Sequence, residues 1–109
     1  EVESVLARHP NVKSVAIGAV PDRLRGDEVF ACIIAEGQSA DVELAETLCK
    51  WCLENLAYYK APGYIGFVEE LPLTSTNKIN RGKMTALIET LHGSEKVFDL
   101  RPLKKRSVA

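Results

Sequence analysis

No run in these 109 residues approaches the roughly eighteen consecutive apolar positions that a membrane-spanning helix needs, and no signal-peptide pattern stands at the start. Neither sign of charge dominates: 14 Lys and Arg face 15 Asp and Glu, for a formal net charge of -1. That balance removes the broad basic field that draws nucleic acid or an anionic membrane surface, so neither partner is expected. Cysteine is scarce and odd in number, three in all. With no secretory pattern beside them, three thiols fit a reducing compartment better than a disulfide framework, and cytoplasmic is the simplest reading. The chain does not open on methionine; Glu1 to Arg8 is already a helix in progress, with Val2, Val5 and Leu6 on one face. It therefore reads as a single domain excised from a longer polypeptide, large enough for one modest core.

What is present is a regular alternation of elements. His9-Pro10-Asn11 stops the first helix, because a residue before proline leaves the helical region and proline cannot continue the ladder. Lys13 to Val20 is rich in small and β-branched residues and reads as an edge strand. Glu28 to Ala35 is apolar on both faces and reads as a central one. Between them, Pro21 to Asp27 has proline at its start and glycine near its end, as a compact connection between antiparallel strands would. Asp41 is placed to cap a helix running to about Leu56, with Leu44, Ala45, Leu48, Cys49, Cys52 and Leu56 as its apolar stripe, widened by Trp51 and Leu53. Tyr64 to Val68 is a short third strand in which Gly66 marks a close backbone approach. Arg81 to Leu91 is helical, with Met84, Leu87, Ile88 and Leu91 on one side. The order predicts an α+β domain: a small, mostly antiparallel sheet of about three main strands flanked by helices.

Cys49-Lys50-Trp51-Cys52 has the C-x-x-C form, but it lies inside a helical pattern and not at a helix start, where a thiol pKa would fall. The remaining candidates, Cys32, His9 and His92, lack the paired spacing of a zinc site, so no metal site is assigned and both thiols are expected in the core. His92 is expected to help cap the carbonyls at its helix end, and His9 to shape its turn. Periodicity is lost from His92-Gly93 onward, and the tail through Ala109 is expected to be partly mobile. Its Lys104-Lys105-Arg106 run is shorter than the clusters that bind nucleic acid, and no Ser-Lys-Leu address ends the chain.

The residue with the clearest chemical promise is Lys78, in the polar stretch Leu71-Pro72-Leu73-Thr74-Ser75-Thr76-Asn77-Lys78-Ile79-Asn80-Arg81. Proline and the small hydroxyl residues mark a loop, and loops on a rigid scaffold carry function disproportionately. A compact ammonium there suits phosphate or carboxylate oxygens, above all while negative charge builds on them. Most loop lysines are merely solvated, and this loop alone does not decide between the two roles.

Four segments taken together resemble one family: the helix ending Arg8-His9-Pro10, the Ile17-Gly18-Ala19-Val20-Pro21-Asp22 strand and turn, Tyr59-Lys60-Ala61-Pro62, and Glu70-Leu71-Pro72 through Lys78-Ile79. It is the small C-terminal domain of the adenylate-forming enzymes: acyl-CoA synthetases, luciferases and the adenylation domains of peptide synthetases. The likeness runs in register from about Glu1 to Leu91, so residues 1–91 are expected to be the C-terminal lid of a two-domain enzyme and 92–109 its tail. The resemblance implies that Lys78 enters an active site held by a large N-terminal domain, where a small carboxylic acid attacks the α-phosphate of ATP to give an acyl-adenylate and pyrophosphate. It further implies that the lid then swings to present another face for thioester formation with CoA. In some relatives the segment matching Tyr59-Lys60-Ala61-Pro62-Gly63 nears the CoA nucleotide, which makes Tyr59 a stacking candidate and Lys60 a phosphate partner. Packing of Tyr58 or Tyr59 at a helix end is an equal alternative. ATP and CoA are the implied co-substrates, with Mg2+ expected in the N-terminal domain. One departure is Asn77, where the family usually has glycine; asparagine tolerates left-handed backbone angles, so the turn is expected to survive.

The reading is thus the lid of an AMP-forming acid:CoA ligase, inactive alone. The rivals are the matching piece of a peptide-synthetase adenylation domain that loads a carrier protein, and, outside this class, a non-catalytic α+β binding module or a redox C-x-x-C protein. The former more often carries Gly-Lys-Val-Asp at the lysine, which Ile79-Asn80 fits less well.

Overall fold

The computed structural model describes residues 2–22, 26–37, 39–57, 60–76, 78–92, 94 and 97–104. The elements run α1 (Val2–Ala7), β1 (Val12–Asp22), β2 (Gly26–Ala35), α2 (Val42–Asn55), β3 (Tyr64–Phe67), α3 (Arg81–His92) and β4 (Val97–Asp99), followed by a 3-10 turn at Arg101–Lys104. The four strands lie in the order β1-β2-β3-β4. β1 and β2 form an antiparallel hairpin, β2 and β3 are parallel, and β3 and β4 are antiparallel. A mostly antiparallel α+β sheet flanked by helices is therefore what folds, with one parallel pair that needs α2 as its crossover.

β2 owes its central place to its residues. Ala31 and Ile33 face a core built with Leu6 of α1 and Leu44, Leu48, Cys49 and Cys52 of α2. Phe30 and Cys32 face the opposite way, into a second core with Met84, Ile88 and Leu91 of α3. A strand buried on both faces reads as a continuous apolar run, as this one does. Gly66 of β3 answers to the same packing: a Cβ there would stand 3.2 Å from Leu91 Cδ1 and 3.4 Å from Phe30 Cε1.

Asp41 caps α2, its Oδ1 accepting from Leu44 N at 3.1 Å. Trp51 ties the helices together by donating from Nε1 to the Val5 carbonyl at 2.8 Å. The buried His9 ring meets the Trp51 ring edge-on at 5.0 Å and accepts at Nδ1 from Asn11 N at 3.1 Å. Burial pulls the His9 pKa below its ordinary value, consistent with a neutral ring accepting that bond. The turn after α1 is thus shaped by His9, as its position suggests.

Three features differ from expectation. The strands run past Val20, pairing Pro21 with Asp27 and Asp22 with Gly26, because an edge strand tolerates a proline that donates nothing to a neighbour. Val97–Asp99, which the sequence assigns to the aperiodic tail, pairs with the free edge of β3 as a fourth strand; three residues are too few to show a period. The His92 ring meets the Tyr64 ring at right angles, their centres 4.9 Å apart, while Ser94 supplies the bonds to the Leu91 carbonyl at the end of α3.

Candidate functional site

The lysine loop is a tight, closed turn. Leu73 and Ile79 form an isolated antiparallel bridge, Thr74 N donates to the Lys78 carbonyl at 2.6 Å, and Asn80 N donates to the Pro72 carbonyl at 2.9 Å. Thr74 Oγ1 sits inside the turn, accepting from Thr76 N and Lys78 N, each at 3.3 Å. The Thr74 hydroxyl satisfies two backbone donors that the turn would otherwise leave to water. Ile79, half-buried, packs against the α3-side core and anchors the exit of the turn. Asn80 then starts α3, its Oδ1 accepting from Lys83 N at 3.2 Å.

Between those two anchors Lys78 is exposed. Its side chain borders an open cleft of about 430 Å³ whose walls are Glu3 of α1, Ala16 and Ile17 of β1, Ile79 and Arg81. Glu3 shares that cleft, but among the described residues no ion pair joins a carboxylate to Lys78, and its side chain stays exposed. A cation on a rigid base at the rim of a cleft can be delivered to anions held by another body. Glu3 and Arg81 are additions to the reading of this site. Arg81 was within reach of sequence reasoning as the third residue past Lys78, whereas Glu3 arrives from the far end of the chain.

Lys60 stands elsewhere, half-buried at the approach to β3, with its amide donating to the Ala57 carbonyl at 2.9 Å. Ala61, Pro62 and Gly63 behind it are buried. The fold does not place Lys60 among the residues that wall the Lys78 cleft. Tyr59, its proposed stacking neighbour, Tyr58 and Asn77 all lie outside the described residues.

Both cysteines of the C-x-x-C segment are fully buried, as is Cys32. Cys49 Sγ points to the Pro62 carbonyl at 3.6 Å. Burial, with Cys49 nearby, pushes the Cys52 thiol up to about 12, and burial alone lifts Cys32 to about 11. Such thiols are poor nucleophiles at neutral pH. Iodoacetamide under mildly alkaline conditions is expected to leave all three unmodified until denaturant is added, as read by intact mass. Fast alkylation of Cys49 in the folded chain would contradict its placement. Among the described residues no three His, Cys, Asp or Glu side chains come together as a metal-ligand set, and no helix is long and apolar enough to cross a membrane.

A model of the AMP-binding enzyme C-terminal domain matches residues 1–78, ending on the lysine of the turn. A mitochondrial medium-chain acyl-CoA ligase of Danio rerio is 41% identical over 85 residues, 77% of this chain and 14% of that protein. A 2-succinylbenzoate-CoA ligase of Bacillus licheniformis is 38% identical over 84 residues, 77% of this chain and 17% of that protein. Among solved structures, an acyl-CoA synthetase of Brucella canis superposes with a TM-score of 0.76 at 38% identity, covering 82% of this chain and 17% of that one. The chain thus spans 14–17% of the length of these relatives.

Proposed function

This chain belongs to the AMP-binding enzyme C-terminal domain family, and from that premise we propose that it is the moving lid of an AMP-forming acid:CoA ligase and supplies Lys78 to adenylation. In the first half-reaction a carboxylate oxygen attacks the α-phosphorus of ATP. An oxygen-phosphorus bond forms, the bond from that phosphorus to the bridging oxygen breaks, and pyrophosphate leaves with the electron pair. In the second, the CoA thiolate attacks the acyl carbon and AMP departs. Both reactants of the first step are anions, so a cation reaching both offsets their repulsion and the charge gathering on the equatorial oxygens.

The observation that carries this reading is the exposed Lys78 ammonium on a turn closed by backbone bonds at both ends. The family relatives support the ligase class, and their larger size supports a separate body that holds ATP and the acid. Mg2+, which would offset the charge of the ATP phosphates, is assigned to that body as well. Lys60 is assigned to a CoA-facing surface, beside Tyr59. The domain alone is expected to be inactive, and three buried cysteines outside any disulfide suit a cytosolic setting.

The test separates the halves in the full-length enzyme. Acid-dependent exchange of pyrophosphate into ATP without CoA, and CoA thioester formation from a supplied acyl-adenylate, are both expected. Absence of exchange with every small carboxylic acid tried would remove the adenylation reading. Loading of a carrier-protein thiol in place of free CoA would transfer the lid to a peptide-synthetase setting.

A further inference from the structure

Gly63 closes the segment that begins at Lys60, and it is held from three sides. Its amide donates to the Val29 carbonyl at 3.0 Å, and its own carbonyl accepts from Leu100 N at 2.7 Å. A Cβ on Gly63 would come within 2.7 Å of Glu28 Oε2, so the carboxyl of Glu28 occupies the space that any side chain there would need. Glu28 is 1% exposed, and its Oε1 accepts from Val29 N at 3.0 Å. Leu100 is buried in the same core as Ala61.

The next residue is fastened as closely. Tyr64 pairs with Asp99, and the Arg101 guanidinium lies 5.1 Å from the centre of the Tyr64 ring. Asp99 holds that guanidinium in turn, with Nη2 to Oδ2 at 2.7 Å and Nε to Oδ1 at 2.9 Å. A two-point carboxylate grip fixes the plane of the guanidinium as well as its position, and a cation over an aromatic face adds attraction. The start of β2 and the segment after β4 therefore converge on the residues that end the Lys60 segment.

We propose that Glu28 and the Asp99–Arg101 segment are positioning groups for the thioester half-reaction. They set the backbone of residues 60–63 and so fix the point from which the Lys60 side chain reaches toward the phosphates of CoA. The proposal rests on the reading of Lys60 as CoA-facing. Its chemistry is pre-organisation: a cation whose stem is rooted in backbone already ordered before the nucleotide arrives leaves only side-chain freedom to lose on binding it.

The experiment uses the full-length enzyme and free CoA. Gly63→Ala drives a methyl group into the Glu28 carboxyl and is expected to raise the KM for CoA about tenfold, while acid-dependent pyrophosphate exchange stays at its wild-type rate. Arg101→Ala removes no core atoms and keeps the proposal open to test should the glycine variant not fold. It is expected to raise the same KM by a smaller factor, and Arg101→Lys, which keeps a cation over the ring, is expected to recover part of it. Lys60→Ala reads the underlying assignment, with a rise in the KM for CoA expected. If that variant leaves the KM unchanged, the CoA-facing reading falls. If it raises the KM while Gly63→Ala and Arg101→Ala do not, the positioning proposal alone is overturned. A loss of exchange equal to the loss of CoA use in the two positioning variants would also overturn it, because a merely structural role predicts that parallel fall.

Discussion

Lys78→Ala in the full-length enzyme is expected to cut acid-dependent pyrophosphate exchange by about a thousandfold while leaving CoA transfer to a supplied acyl-adenylate near its wild-type rate. The size follows from the charge. A unit cation about 4 Å from a developing oxyanion is worth ~1 kcal/mol in water and ~4 kcal/mol at an effective dielectric of about 20, suited to a closed cleft. Since each ~1.4 kcal/mol is a factor of ten in rate, the upper figure corresponds to about three decades. The lysine owes its leverage to its base. The turn is fixed by the Leu73 to Ile79 bridge and by the bond from Asn80 N to the Pro72 carbonyl, so only the side chain, and not the backbone beneath it, remains to be ordered at the moment of reaction. Lys78→Arg keeps the charge but substitutes a planar fork of different reach, and partial activity is expected. Exchange at wild-type rate in Lys78→Ala would take this residue out of the chemistry.

How much of this was legible in the sequence varies by element. The Asp41 cap and the stripe from Leu44 to Cys52 announce α2 because an N-cap and a 3.6-residue period are local signals. β2 announces its central place because both its faces are apolar. The parallel pairing of β2 with β3 is different in kind: the sequence shows two strands and a helix between them, but neighbours in a sheet are chosen by packing across the whole domain. β4 escaped notice because a three-residue strand has no period of its own and is stabilised by an edge supplied from Tyr64 to Gly66. The site divides along the same line. An exposed lysine between a strand and a helix could be read from proline, threonine and the flanking patterns. The cleft beside it could not, since Glu3, Ala16 and Ile17 reach it only through the tertiary fold. Glu28 is the sharpest case: a carboxylate in a strand looks solvated in a sequence, and only the missing Cβ of Gly63 makes room to bury it.

Phe30→Ala is expected to cost this chain about 3–5 kcal/mol of folding stability, a large part of the ~5–15 kcal/mol typical of a domain this size. The ring is fully buried where β2, β3 and α3 meet. It stacks on Tyr64 at 5.9 Å and 23°, lies steeply tilted to the His92 ring at 6.3 Å, and fills the space over Gly66. Gly66 has no side chain with which to refill the gap, and the strands on either side are held by their ladders, so the cavity should collapse only in part and the loss should lie toward the upper end of that range. Phe30→Leu retains most of the volume and is expected to cost about 1–1.5 kcal/mol. Leu73→Ala provides the contrast: at 49% exposure, its side chain should contribute within about 0.5 kcal/mol. Urea unfolding of the three variants measures the order. Because α3 begins three residues after Lys78 and rests on Phe30 through the core it shares with Met84, Ile88 and Leu91, the same substitution loosens the support beneath the lysine turn. Stability loss in Phe30→Ala should therefore be accompanied by faster hydrogen exchange at the Met84 amide, which donates to the Asn80 carbonyl at the first turn of α3. A Phe30→Ala variant as stable as Leu73→Ala would mean that the ring does not join α3 to the sheet, and the rigid base attributed to Lys78 would lose its foundation.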